Sequence, residues 1–173
     1  MSLNSSKRWI QRHVRDQFVH NAKRDGLRSR SAYKLIEVQD KHHFIKPHHA
    51  VIDLGAAPGG WSVTASQYLK TDSGGLLVAV DLLEMDPVEG CHTLVGDFTN
   101  EKTMKKVEEV LHKRQVDIIL SDMLHNTTGH KQTDHFRSMD LCFTAVDFAE
   151  KHLAPDGALF MKLLRGEDDK ELI

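Results

Sequence analysis

Four aspartates and one lysine in this 173-residue chain each sit at or near the end of a short apolar run: Asp53 in "VIDLG", Asp81 in "LLVAVD", Asp97 in "LVGD", Asp122 in "IILSD" and Lys162 in "LFMK". If those runs are strands of one sheet, the five side chains meet along one edge and can do chemistry there. A carboxylate at the second strand's end accepts both hydroxyls of an adenosine ribose and disfavours a 2′-phosphate. Several carboxylates together favour a cationic ligand. A lysine beside a second cation, and partly desolvated, can take the proton of a hydroxyl.

Between the first two acids lies "GAAPGGWS", residues 55–62. Gly55, Gly59 and Gly60 follow an apolar run and open a helical stretch, so a ligand could approach the backbone closely. The turn is not GxGxxG, and Pro58 removes an amide donor, which fits a pyrophosphate poorly. Asp81, 26 residues after Gly55, suits a ribose. Asp97 beside Phe98 suits an adenine, with the carboxylate on the exocyclic amine and the ring on the base face. Adenosine without a pyrophosphate, next to several acids, points to S-adenosylmethionine, whose sulfonium is cationic. Trp61 either lines the methionine end of that pocket or packs its helix on the sheet. An NAD-dependent oxidoreductase is the rival reading. It needs a pyrophosphate turn and a hydride-transfer site, and neither is legible.

The elements that must position these residues follow from periodicity. Trp9, Ile10, His13, Val14, Phe18 and Ala22 share one face of a helix over 5–23. Gly26 breaks it, Ser29 or Ser31 caps the next one, and Ala32 to Gln39 is helical. Strands are expected over "AVIDLG", "GGLLVAVDLL", "HTLVGDF", "VDIILSDM" and "ALFMKLL", with helices at 60–70, 100–113 and 134–152 and a turn at "APDG". The strands are almost continuously apolar, as strands covered on both faces are. Strands alternating with helices predict an α/β fold with a mainly parallel, doubly wound sheet and helices on both faces. Ligands then bind beyond the carboxyl ends of the strands.

Charge divides the chain. Residues 1–46 carry eleven Lys/Arg against four Asp/Glu, net +7, and the remainder carries 12 against 21, net −9. A basic arm on an acidic body suits a polyanion met by one face, with Arg8, Arg12, Arg28 and Arg30 as phosphate contacts. One domain is expected, with 1–46 as a helical arm that faces the polyanion and 47–173 as the cofactor-binding core. No apolar run approaches the roughly 18 residues of a membrane span. Cys91 and Cys142 read as reduced thiols, and the twelve histidines show no metal-ligand spacing, so no metal is expected.

Taken together, "GLRSRSAYKL", "DLGAAPGGWS", "DLLEMDP", "GDF", "SDM" and "LAPDGALFMKL" resemble the FtsJ/RrmJ family of rRNA ribose 2′-O-methyltransferases, over about Ser6 to Gly166. "SDMLHNTTGHKQTDHFRSMDLC" is most similar to the mitochondrial large-subunit rRNA branch. The resemblance implies a Rossmann-like class I methyltransferase fold that uses S-adenosyl-L-methionine. It implies ribosomal RNA or the large ribosomal subunit as partner, with a uridine of the peptidyl-transferase region as target. By motif it assigns catalysis to Lys34, Asp122 and Lys162. Cofactor binding falls to Gly55, Pro58, Gly59, Gly60, Trp61, Asp81, Asp97, Phe98 and Asp122. A monomer in the mitochondrion is implied, with cytoplasm or nucleus as the alternative compartment. Two departures stand out. The family's fourth catalytic residue is a Glu in a later segment; Glu167 and Glu171 have another context, so the C-terminal strands are expected to be truncated. "SDMLHN" replaces the usual "SDMAPN" at Leu124 and His125. An RNA-binding ribosome assembly factor that keeps the fold without activity is the alternative.

Overall fold

A computed structural model of the chain describes residues 24, 26–124 and 128–163. The expected helix over 5–23, with Arg8 and Arg12, lies outside them. The described elements are α1 (Ala32–His42), β1 (Ala50–Leu54), α2 (Gly60–Ser66), a 3-10 turn (Thr71–Ser73), β2 (Leu76–Asp81), β3 (Cys91–Val95), α3 (Glu101–Leu111), β4 (Val116–Ser121), α4 (Lys131–His152) and β5 (Leu153–Met161).

The five strands form one sheet in the order β3-β2-β1-β4-β5, with every neighbouring pair parallel. Alternate residues of each strand face opposite layers. Val51, Leu77, Ile118 and Leu120 pack with Leu35 of α1 and with Trp61 and Ala65 of α2. Ile52, Leu54, Val78, Val80 and Ile119 pack with Val107 and Leu111 of α3 and Phe148 and Ala149 of α4. All five residues of β1 are buried, which explains why its sequence is apolar without alternation. The chain winds outward from β1 to β3 and then returns to place β4 on the other side of β1. The crevice at that reversal opens beyond the carboxyl ends of β1 and β4.

Four expectations change. No helix joins β2 to β3. Residues 82–90 are only nine, and they contain Pro87 and end on Gly90 at φ 71°, so they cross as a loop. Leu82 and Leu83 are not part of β2; they leave the sheet and are 69% and 68% exposed. "APDG" is not a turn before β5 but an interruption within it. Val116 pairs with Leu153 and Ile118 with Ala158, so the extra residues bulge from the ladder. Neither Ser29 nor Ser31 caps α1 with its side chain; the two hydroxyls bond each other at 2.7 Å. Among the described residues both cysteines are free, and no helix is long and apolar enough to cross a membrane.

At the opposite end of the sheet, Arg114 gathers three loops. Its guanidinium donates to the carbonyls of Gly74 and His48 and pairs with Asp117 at 3.2 Å. Asp117 in turn accepts the Ala50 amide at 2.6 Å, which fixes the entry of β1. Arg114→Ala leaves two carbonyls and a carboxylate without this donor. It is expected to cost about 1–2 kcal/mol, since the group is partly solvated. Urea unfolding of the variant measures it.

Candidate active site

The turn after β1 is built from its smallest residues outward. Gly55 and Ala56 both donate to the Val80 carbonyl, at 2.9 and 3.3 Å, so the chain leaves β1 still tied to β2. Gly59 then adopts φ 99°, a left-handed conformation that side chains resist, and precedes α2 as its N-cap. The turn is also small for a reason the sequence does not show. A Cβ on Gly55 would fall 2.3 Å from Met123 Cγ, and one on Gly59 2.7 Å from Arg28 Nη1. On Gly60 it would fall 2.0 Å from Ser29 Oγ. At these three positions it is the protein's own side chains that close on the backbone.

Residues 28–31 therefore lie on the turn. Arg28 donates to the carbonyls of Asp86 (2.5 Å) and Pro87 (2.6 Å) and reaches that of Pro58 (3.5 Å). Arg28, expected as a phosphate contact, turns its two terminal nitrogens to backbone carbonyls here. Arg30, exposed, begins the turn into α1, its carbonyl accepting from the Tyr33 amide. Ser31 offers its carbonyl to the indole N–H of Trp61 at 2.9 Å. Trp61 is 2% exposed and stacks on Phe160 of β5 with ring centroids 5.1 Å apart. Its ring packs α2 on the sheet, the second of the two roles open to it.

The acids have separate fates. Asp81 ends β2 and uses both oxygens: Oδ2 accepts the Ala57 amide at 2.9 Å and Oδ1 the Leu83 amide at 2.8 Å. It joins the glycine turn to the 82–90 loop, and each carboxylate oxygen retains a further lone pair for a ligand hydroxyl. Asp81 also lines a depression on the sheet face with Ala79, Leu83, Met85, Thr93 and Val95. Asp97 lies two residues beyond β3, exposed, with Oδ1 accepting from the amide (2.9 Å) and hydroxyl (2.7 Å) of Thr99. Phe98 meets Phe148 of α4 edge-to-face at 5.7 Å and packs on the core, so part of its ring is already committed.

Asp122 and Lys162 come together as the edge geometry requires. Both directly follow adjacent strands, and Lys162 donates from its backbone amide to Ser121 at 2.9 Å. The Lys162 ammonium pairs with Asp122 Oδ1 and lies 3.4 Å from the Asp122 carbonyl. Lys34 is not part of that contact. It pairs with Glu37 at 3.2 Å along α1, with its side chain 64% exposed. Lys162 thus meets the aspartate expected to orient a lysine, while Lys34 contacts Glu37. Among the described residues no cluster of three or more potential ligands could hold a metal ion.

Asp53 is not at the edge at all. It lies inside β1, fully buried, where its Oδ2 accepts the Ser62 hydroxyl at 2.6 Å and Oδ1 has no partner. Burial is the main force lifting its pKa from 3.8 to about 7, with the charges of Asp122 and Asp81 adding to it and the Ser62 bond opposing. The folded protein thus binds a proton that the unfolded chain has released, through the window from about pH 4 to 7. Across that window Asp53 makes stability fall as pH rises, and above it the contribution is flat. Asp53→Asn should remove this slope. Urea midpoints of the two proteins at pH 5 and pH 8 test it, and parallel pH dependences would contradict it.

The sequence reading found Asp81, Asp122 and Lys162 but missed Arg28, Ser31, Ser62 and Met123 as the groups that shape the site. No short-range signal marks them, since each acts on residues at least nine positions away.

Comparison with known proteins agrees with the geometry. Residues 27–173 match the family model for FtsJ-like methyltransferase. The chain is 48% identical over 178 residues to a protein named ribosomal RNA large subunit methyltransferase E from Parvibaculum lavamentivorans, covering 98% of the chain and 70% of the relative. It is 49% identical over 170 residues to the protein of that name from Mesorhizobium japonicum, with 98% and 64% covered. The chain thus spans about two thirds of the length of these bacterial relatives. A crystal structure of a ribosomal RNA methyltransferase from Plasmodium falciparum superimposes with a TM-score of 0.77 at 28% identity, over 84% of this chain and 82% of that one. With its five-stranded parallel sheet, its turn after β1 and its aspartate–lysine edge, this chain belongs to the FtsJ-like methyltransferase family.

Proposed function

We propose that the protein methylates a ribose 2′-hydroxyl of ribosomal RNA, using S-adenosyl-L-methionine as donor. The observation that carries this reading is the contact of Lys162 with Asp122 on the strand edge that also presents Asp81. The donor set fits that cofactor. Asp81 has lone pairs left for ribose hydroxyls, Asp97 keeps an uncommitted oxygen for an exocyclic amine, and carboxylates suit a sulfonium. When bound, the cofactor supplies an already electrophilic methyl group.

The chain's own groups then have a limited task. A 2′-hydroxyl must be aligned with the methyl carbon and must lose its proton as the new C–O bond forms and the methyl–sulfur bond breaks. Asp122 holds the Lys162 ammonium at the edge, where it steers the hydroxyl oxygen, and the hydroxyl's proton leaves through the Asp122 carboxylate to water. Lys34, exposed on α1, is assigned to the RNA together with the basic segment before it. The relatives' names support ribosomal RNA as the substrate class. A uridine of the large-subunit peptidyl-transferase region and action in the mitochondrion are further parts of the proposal. They rest on the likeness of the 121–142 segment to that branch, and the bacterial relatives lend them no support.

Lys162→Ala is expected to lower kcat for methyl transfer by about 10²–10⁴ while leaving cofactor affinity within a few fold. Asp81→Ala is expected to abolish titratable S-adenosylmethionine binding. Calorimetry and tritiated-methyl transfer to large-subunit rRNA read the two effects. RNA binding with no transfer by a chain carrying the full family length would favour the assembly-factor alternative. Full activity of the Lys162 variant would remove the proposed role of the edge.

A further inference from the structure

We infer that Arg28 is a positioning residue for the cofactor, holding the 82–90 loop against the glycine turn so that the loop keeps the shape that an adenosine meets. The inference rests on the reading above, in which Asp81 and this loop receive S-adenosylmethionine. It departs from the simplest assignment of an arginine in a basic segment, which is a phosphate contact.

Three observations carry it. First, the loop is poorly held by its own structure. It has no helix, Leu82 and Leu83 are solvent-exposed, and Pro87 has no amide to donate. Asp81 secures its beginning through the Leu83 amide, and buried Val88 secures its end. Second, the middle is secured by Arg28, whose two terminal nitrogens take the adjacent carbonyls of Asp86 and Pro87 at 2.5 and 2.6 Å. A planar fork meets two neighbouring carbonyls together, and a lysine ammonium does not reproduce that geometry. Third, the base of the fork is fixed. Arg28 lies where a Gly59 side chain would be, and Ser29 and Ser31 seat the same segment on Gly60 and Trp61. The guanidinium therefore bridges two loops that Asp81 also bridges, one from each side. The cofactor pocket and the segment expected to meet RNA share this junction.

The test titrates S-adenosylmethionine into the wild type, Arg28→Ala and Arg28→Lys by calorimetry. Thermal melts check folding, and hydrogen exchange follows the amides of 82–90 in the free proteins. Both variants are expected to raise Kd for S-adenosylmethionine about tenfold, on the scale of one charge-assisted hydrogen bond. Exchange in 82–90 is expected to quicken, and KM for the cofactor to rise with kcat held within about twofold. Arg28→Lys keeps the charge, so it separates loss of the fork from loss of a cation and stands in if the alanine variant melts early. Unchanged cofactor affinity and exchange in variants of a wild type that binds would overturn the inference and leave the proposed function intact. Weakened RNA binding with normal cofactor affinity would return Arg28 to the phosphate role and also overturn it. A wild type that binds no S-adenosylmethionine would overturn the cofactor reading itself, and the inference with it.

Discussion

Complete burial of β1 is the constraint from which the site follows. A strand with both faces covered and a neighbour on each side has no route to solvent except along its axis. Its amides are paired to β2 and β4, so those strands end level with it. Asp81, which ends β2, and Asp122, which directly follows β4, are thereby delivered to either side of the turn that β1 must make. Once β5 adds to β4, Lys162 arrives beside Asp122 by the same register. No side-chain attraction is needed to assemble this set. The sheet's hydrogen-bond ladder does it, and the side chains then settle the local geometry.

The same burial makes Asp53 an unusual group. A carboxyl inside a strand with one partnered oxygen is costly when ionised, and two further acids lie close enough to add to the cost. The fold tolerates it because the Ser62 hydroxyl reaches back from the first turn of α2. That bond also pins α2 to β1 directly behind the glycine turn. The position thus trades pH-dependent stability for a fixed relation between strand and helix.

Glycine in the turn is usually read as space for a ligand. Here the space is filled from within: Met123 covers Gly55, Arg28 covers Gly59 and Ser29 covers Gly60. A turn that is small so that three other parts of the chain can converge on it becomes a junction. The N-terminal segment, the loop after β2 and the residue after Asp122 all meet there. Whatever ligand lies on the outer side of the turn experiences their arrangement.

By itself the sequence determined the α/β class, the order and approximate limits of the strands, and the family. Apolar runs and helical periodicity are local, and motifs such as "GAAPGGWS" are contiguous. It also placed Asp81, Asp122 and Lys162 on one edge, because strand ends can be counted along the chain. Only the tertiary structure decided which groups touch. Asp53 looked like a strand-end acid, yet β1 runs one residue further, to Leu54, and Asp53 is buried within it. Trp61 looked like a pocket wall, yet Phe160, 99 positions later, takes its face. Arg28 looked like a phosphate contact, yet carbonyls 58 and 59 residues away hold it. Lys34 is named by motif, and helical spacing brings Glu37 to it. Residue type and neighbours in sequence limit what a side chain can do. Contacts at long separation depend on packing, and packing is settled only when all the layers close together.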